Sequence, residues 1–161
     1  MGPDVFNFAI QLKESNDQSS THQGPESEPL LIGILGSFHW PEVGYVLHPS
    51  FIGRGYATEA LRAFIPAFFE RVPTAGEGGI GFDYMEACTD SENAASINVL
   101  HKCGFEFCEL RERGFESAIL GTRDTVLFRV ARPGTTLEQL GLKMAENGGL
   151  KEEEAPEPPI Q

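Results

Sequence analysis

The sequence predicts an α/β (α+β) fold in which helices pack on a mixed, mostly antiparallel β-sheet. Apolar residues alternate with a period of two near the start of the chain, and this period lengthens to that of an α-helix in the middle. Strand-like runs return after the second helix. The resulting order is β-β-β-α-β-α-β-β, in which strands on both sides of two helices give one sheet with the helices packed on it.

Three strands are predicted before the first helix. Apolar residues at every second position predict a half-buried strand over residues 6–13. Two further apolar runs, 30–38 and 43–47, are joined by a short turn at Pro41, whose ring fixes φ. Short links between consecutive strands favour an antiparallel meander.

Two helices are predicted in the middle of the chain. Residues 57–69 place their apolar side chains on one helical face, and we expect Pro66 to kink this helix. Asp90 or Ser91 is expected to cap the second helix. Gly104 is expected to end it, because glycine readily adopts the left-handed conformation found at helix C-termini.

The remaining strands flank the second helix. A strand is predicted over residues 82–87, and a last pair over 105–112 and 125–131, joined by a turn at 117–124. Residues 135–143 are expected to form one or two further helical turns.

Length and composition predict one domain followed by a tail. The chain has 161 residues, of which 40% are hydrophobic, enough for a single core. We expect this domain to span residues 1–143, with a mobile polar loop over 15–29 that is rich in Ser, Gln, Glu and Pro. Residues 144–161 are acidic and lack large apolar side chains, which predicts a disordered tail.

The charge excludes some classes of partner. With 24 acidic and 12 basic side chains the formal net charge is -12, so we expect no nucleic-acid binding and no attachment to an anionic membrane. An acidic body suits an amine-bearing partner, or serves solubility alone. No secretory signal or apolar run of the roughly 18 residues needed for a membrane span occurs. Three cysteines without metal-ligand spacing predict no metal site and a reducing compartment, by default the cytoplasm.

A candidate anion site follows the third strand, where residues 48–58 read HPSFIGRGYAT. The first N–H groups of a helix lack internal partners, the helix dipole is positive there, and glycines allow close approach. Taken alone, the two glycines also fit an ordinary tight turn, and the pattern is neither a Walker loop nor a GxGxxG fingerprint. The amides expected to wrap a pyrophosphate belong to Gly53, Gly55, Tyr56, Ala57 and Thr58, with Arg54 supplying positive charge.

A second motif favours the anion site over the plain turn. Residues 90–105 read DSENAASINVLHKCGF. Together the two motifs resemble the GCN5-related N-acetyltransferase (GNAT) family, especially its branch that acetylates ribosomal-protein N-termini. The family pattern Gly-Lys/Arg-Gly-Tyr-Ala-Thr-Glu-Ala matches residues 53–60, and Asn-x-x-Ser-x-x-Val-Leu-x-Lys-x-Gly-Phe matches 93–105. The resemblance covers about residues 30–130.

The resemblance implies acetyl-CoA as the cosubstrate and no metal. Its pyrophosphate is expected on the amides of residues 53–58, and its pantetheine arm between the third and fourth strands. There the backbone of Val46 and Leu47 is expected to pair with the pantetheine amides. Asn93 is expected to bind the pantetheine or position a water, the alternative being a solvated residue at the start of the helix.

Acetyl transfer to an amine requires a neutral nucleophile, so a general base is expected. The resemblance assigns this role to Glu42, whose alternative is an exposed carboxylate at the strand edge. Ser96, one turn after Asn93, is expected to approach the leaving sulfur, or else to serve packing. Many family members carry a general-acid tyrosine where this chain has Leu100, so Ser96, Tyr84 or water is expected to substitute.

The family normally has a further strand and one or two helices before the segment that matches residues 6–13. The acceptor side is therefore expected to be open, or to be completed by a partner chain such as a second copy in a homodimer. The expected function is transfer of an acetyl group from acetyl-CoA to a primary amine of a peptide N-terminus or a small molecule, by direct attack. The alternative is a catalytically degenerate acyl-CoA-binding or protein-interaction module.

Overall fold

The computed structural model describes residues 5–12, 29–76 and 81–143. The predicted acidic tail, and the predicted mobile loop apart from Pro29, lie outside these ranges. The predicted order of elements is confirmed. The strands are Phe6–Gln11 (β1), Leu31–His39 (β2), Glu42–Leu47 (β3), Tyr84–Asp90 (β4), Glu106–Ser117 (β5) and Gly121–Ala131 (β6), and the helices are Tyr56–Arg71 (α1) and Ala94–Lys102 (α2).

The six strands form one sheet in the order β1-β2-β3-β4-β6-β5. Neighbouring strands run antiparallel except for β3 and β4, which are parallel. Among the described residues these two strands pair at a single position, Glu42 opposite Glu86, where the Glu86 N–H donates to the Pro41 carbonyl at 3.0 Å. Beyond this pair β3 and β4 separate, so the sheet opens between their carboxyl ends.

Both helices pack on one face of the sheet and bury the apolar residues that their periodicity predicts. Leu61 and Phe68 of α1 are fully buried, and Leu100 of α2 is 1% exposed. Burying a side chain of this size contributes about 2 kcal/mol. The sheet contributes a matching set of buried residues, namely Leu35, Val43, Met85, Ala87, Val126 and Phe128.

Three local expectations need correction or refinement. The expected cap at Asp90 or Ser91 is wrong, because Asn93 is the N-cap of α2 and its side chain accepts the Ser96 N–H at 3.1 Å. Helix α1 continues through Pro66 to Arg71. Residues 135–143 form only a turn, in which the Leu140 N–H donates to the Thr136 carbonyl at 3.1 Å.

Arg132, directly after β6, ties the end of α1 to the start of β4. Its guanidinium forms an ion pair with Asp83 at 3.1 Å, and its side chain is only 18% exposed. The last carbonyls of a helix lack internal partners, so a buried cation there stabilises the helix end. The carbonyls that accept from this guanidinium belong to Phe69, Val72, Pro73 and Phe82.

Replacing Arg132 with Ala should lower the free energy of unfolding by about 3 kcal/mol, because several buried carbonyls and a carboxylate lose their charged partner. Urea denaturation at neutral pH measures this loss. The matched control is Arg111→Ala, which breaks the exposed pair with Glu109 and should cost less than about 1 kcal/mol. Equal losses in the two variants would contradict the role given to Arg132.

Candidate active site

A cavity of about 370 Å³ lies where β3 has separated from β4. Its walls are the carboxyl half of β3, the loop that leads into α1, the first turn of α1, and one face of α2. The lining residues are Tyr45, Val46, Leu47, Ile52, Gly53, Gly55, Tyr56, Ala57, Thr58, Asn93, Ala95, Ser96, Asn98, Val99 and Lys102. Thus most of the predicted site residues lie together, whereas Glu42 and Arg54 are not among the lining residues.

The loop before α1 presents backbone N–H groups to the cavity. Gly53 and Gly55 have φ values of 77° and 88°, in the left-handed region that favours glycine. A Cβ atom at either position would meet nothing within 4 Å, so the backbone conformation, not lack of space, calls for glycine. Gly55 is the N-cap of α1, and no side chain in the described part of the molecule caps this end. Residues 56–58, the first of α1, thus line the cavity, and no side chain in the described ranges caps this end of the helix.

Two cations lie near these amides. Lys102 lines the cavity from the end of α2. Arg54 is exposed and places its guanidinium carbon 5.6 Å from the centre of the Phe51 ring. Both charges favour an anion at this end of the cavity, in a molecule whose net charge is -12.

The edge of β3 supplies further backbone groups. The His48 N–H donates to the Ile32 carbonyl of β2 at 2.8 Å. Because hydrogen-bonded pairs alternate along an antiparallel ladder, Val46 also directs its N–H and carbonyl towards β2, whereas Tyr45 and Leu47 direct theirs to the opposite edge. That opposite edge is the one that has separated from β4. Val46 also lines the cavity, and its side chain is 58% exposed.

Ser96 lines the cavity and forms hydrogen bonds with two other lining residues. Asn93 accepts its backbone N–H at 3.1 Å, and the Tyr45 hydroxyl lies 2.8 Å from its Oγ. The Tyr45 hydroxyl also lies 3.3 Å from the Ser96 carbonyl. Burial raises the pKa of Tyr45, and its hydrogen bond to Ser96 opposes this rise only in part. Tyr45 therefore keeps its proton throughout the neutral pH range.

Other candidate residues lie away from this centre. Glu42 is exposed at the point where β3 and β4 still pair, and strand alternation places its side chain on the sheet face opposite the helices. Tyr84 packs against the Phe82 ring and the Arg129 guanidinium, and it is not among the lining residues. Leu100 is part of the core.

Tyr45 and Lys102 line the cavity but were not predicted as site residues from the sequence. Lys102 could have been predicted from helical spacing. Positions 95, 98–99 and 102 lie three or four residues apart along α2, and they share a face with Asn93 and Ser96. No comparable signal identified Tyr45, since its contact with Ser96 spans 51 positions of the chain and depends on how far the sheet opens.

Other kinds of site find no support in the described ranges. Among those residues no group of three His, Cys, Asp or Glu side chains could hold a metal ion. Neither α1 nor any other described segment combines the length and apolar character of a membrane-crossing helix. Cys88, Cys103 and Cys108 are free thiols.

Residues 3–106 match the family model of the acetyltransferase (GNAT) domain. This match spans well over half of the chain, so the chain belongs to that family. No curated protein matches the sequence at a significant level.

Solved structures share the fold at low sequence identity. YncA, a putative acetyltransferase from Salmonella typhimurium solved with acetyl-CoA, is 20% identical with a TM-score of 0.55, over 66% of this chain and 61% of that one. A GNAT-family acetyltransferase from Bacillus anthracis is 20% identical with a TM-score of 0.53, over the same shares. RimL, a ribosomal L7/L12 alpha-N-protein acetyltransferase solved with coenzyme A, is 20% identical with a TM-score of 0.52, over 63% of this chain and 56% of that one. The chain therefore spans less than two thirds of each of these proteins.

Replacing Asn93 with Ala should destabilise the protein by about 1 kcal/mol, because α2 loses its N-cap. Asn93→Ser should restore most of this loss, since a serine hydroxyl also accepts the capping N–H. Thermal or urea unfolding checks both values. Asn98→Ala is the control, as it removes a cavity-lining amide from within the helix and should leave stability nearly unchanged. If Asn93→Ala is as stable as this control, the cap does not stabilise α2.

Proposed function

We propose that this chain is an N-acetyltransferase that transfers an acetyl group from acetyl-CoA to a primary amine by direct attack. The observation that carries the proposal is the cavity between β3, the N-terminus of α1 and α2, which combines unpartnered amides, a free strand edge and polar side chains. Membership of the GNAT domain family supports the choice of acetyl-CoA. So do the acetyl-CoA and coenzyme A in the YncA and RimL structures.

The groups present in the cavity fit the parts of acetyl-CoA. The amides of residues 53–58 would accept the pyrophosphate oxygens, with Arg54 and Lys102 adding positive charge. The edge of β3 would pair with the pantetheine amides, as a peptide strand does when it joins a sheet. In the register observed here, the backbone of Tyr45 and Leu47 is free for this pairing, whereas the backbone groups of Val46 face β2.

The reaction would begin with loss of a proton from the acceptor ammonium, which we assign to Glu42, directly or through water. The amine nitrogen then attacks the thioester carbon, so that a C–N bond forms and the C–S bond breaks. The N–H of Leu47 would stabilise the oxyanion, and the Ser96 hydroxyl would donate to the departing sulfur. The two protons released by the ammonium end on the CoA thiol and in solvent.

The properties of the nearby Cys103 thiol agree with direct attack, in which no covalent enzyme intermediate forms. Burial raises the pKa of Cys103, and its Sγ lies 3.6 Å from the Thr58 carbonyl. A thiol with a raised pKa is a poor nucleophile. Cys103 also does not line the cavity.

For the acceptor we propose a peptide N-terminus, as in the ribosomal-protein branch. The motifs at residues 53–60 and 93–105 favour this choice, and the acidic body suits a cationic acceptor.

The sheet face opposite the helices exposes Ile34, Phe38 and Val46 beside a second cavity of about 220 Å³. We propose that a second copy of the chain covers this face and completes the acceptor side. The molar mass of the protein, measured by light scattering after size-exclusion chromatography, tests this dimer. A monomeric mass at all protein concentrations rejects it.

Calorimetry with CoA and acetyl-CoA tests binding, and thiol release with a panel of amines and N-terminal peptides tests transfer. Gly55→Ala should weaken CoA binding about tenfold, because a side chain at φ 88° costs roughly 1–2 kcal/mol and turns the first amides of α1. Gly76→Ala is the control, since Gly76 lies outside the cavity and has open space around it. Binding without transfer to any acceptor would support the acyl-CoA-binding alternative, and absence of binding rejects both functions.

Glu42→Gln should lower kcat by at least about a hundredfold, because the amide cannot take the acceptor's proton. The affinity for acetyl-CoA should not change, since Glu42 is not among the cavity-lining residues. Glu109→Gln, an exposed carboxyl on β5, serves as the control and should retain full activity. Turnover of Glu42→Gln at the control's rate would remove Glu42 from the mechanism.

A further inference from the structure

The hydroxyls of Tyr45 and Ser96 form a partly buried contact in the cavity. Tyr45 comes from β3 and Ser96 from the first turn of α2, and both line the cavity. Their oxygens lie 2.8 Å apart, the usual distance for a hydrogen bond between two hydroxyls. The contact therefore joins the two elements on opposite sides of the cavity at one point.

The geometry allows two arrangements of the two protons. In the first, Tyr45 donates to Ser96 Oγ, and the serine proton is free to point into the cavity. In the second, Ser96 donates to the Tyr45 oxygen, and Tyr45 donates to the Ser96 carbonyl at 3.3 Å. Both arrangements use the 2.8 Å contact between the hydroxyls, and the first alone makes Ser96 a donor towards a ligand.

The surroundings keep Ser96 in place for this role. Its backbone N–H is fixed by the Asn93 side chain at 3.1 Å. Without Tyr45 the serine hydroxyl would turn to a carbonyl of its own helix, as serine side chains commonly do. Donation from Tyr45 also polarises the serine O–H, which strengthens the bond that Ser96 itself donates.

We propose that Tyr45 is a positioning residue that directs the Ser96 hydroxyl towards the sulfur of bound acetyl-CoA. This inference rests on the proposed function. As the C–S bond breaks, its electron pair goes to sulfur, and the thiolate accepts a hydrogen bond from Ser96. Both hydroxyl protons stay on their own oxygens, because a phenol and an alcohol are weaker acids than a thiol. The thiolate later takes its proton from water.

This role supplies a hydrogen-bond donor for the leaving sulfur in a chain that has Leu100 at the position of the usual general-acid tyrosine. Leu100 is 1% exposed and belongs to the core, so it cannot contact the thioester. Tyr84, the other tyrosine considered, stacks against Phe82 and Arg129 outside the cavity. In the Tyr45–Ser96 pair the hydroxyl that faces the ligand comes from the first turn of α2, and the residue that positions it comes from β3.

The first experiment is a double-mutant cycle on turnover. Tyr45→Phe should lower kcat about tenfold, the loss expected for one hydrogen bond to a developing charge, with the KM for acetyl-CoA unchanged. Ser96→Ala should lose at least as much, and the double variant should lose no more than Ser96→Ala alone. Tyr84→Phe is the matched control and should keep wild-type rates. Multiplicative losses in the double variant, or no loss in Tyr45→Phe, overturn the proposal.

The second experiment requires no acceptor. The ultraviolet absorbance of the thiolate is followed against pH for CoA bound to the protein, with the desulfo-CoA complex as the blank. A hydroxyl directed at the sulfur stabilises the thiolate, so the thiol pKa of bound CoA should lie about one unit below that of free CoA. Tyr45→Phe and Ser96→Ala should each return it to the free value, while Tyr84→Phe should not.

These measurements separate the two proposals. If wild-type protein does not bind CoA, the proposed function fails and the role of Tyr45 fails with it. If CoA binds with an unchanged thiol pKa, or if Tyr45→Phe leaves a lowered pKa unaltered, only the role of Tyr45 is overturned. Circular dichroism of each variant checks that the protein is folded, so that a change in kcat or in the thiol pKa is not caused by unfolding.

Discussion

The single parallel pair between β3 and β4 is the constraint on which the rest of the site depends. Strand β4 pairs with β6 along its whole length, from Tyr84 opposite Ala131 to Asp90 opposite Thr125. Strand β3 pairs with β2 from Leu47 opposite Gly33 to Glu42 opposite His39, with a register shift between Gly36 and His39. Each strand therefore follows its own outer neighbour, and beyond Glu42 and Glu86 the two separate. The cavity occupies the space that this separation creates.

Ion pairs hold β4 on its own side of the opening. Glu86 pairs with Arg129 at 3.1 Å across the β4–β6 ladder, and Asp90 pairs with Arg123 at 2.8 Å at the end of the same ladder. The hydrogen bonds from Arg123 hold the pKa of Asp90 below its usual value. Arg132 closes the other end of β4 against the last turn of α1. These contacts fix β4 to β6 and to the end of α1.

Local patterns in the sequence predicted the elements well, because helices and strands are determined largely by periodicity and by special residues. Gly104, with φ 84°, ends the second helix as expected. The predicted cap of that helix was wrong because β4 runs on to Asp90, so the helix begins later, at Ala94, with Asn93 as its N-cap. The geometry of the site was harder to predict from the sequence. Consecutive strand residues direct their backbone N–H and carbonyl groups to opposite edges of the strand. The backbone groups of Val46 and Leu47 therefore cannot both face the open edge of β3, and only the observed register shows that those of Leu47 do. The approach of Tyr45 to Ser96 likewise depends on the width of the opening, which no local pattern encodes.

The free edge of β3 has a thermodynamic consequence. A molecule that fills this edge supplies backbone partners that the folded chain lacks at that position, and it finds no such edge in the unfolded chain. Binding and folding are then linked by mass action, and the stabilisation grows with the logarithm of ligand concentration, reaching about 2.7 kcal/mol at a hundred times Kd. The opening that the sheet maintains between β3 and β4 thus makes the melting temperature of the whole domain a measure of how much of the cavity is occupied.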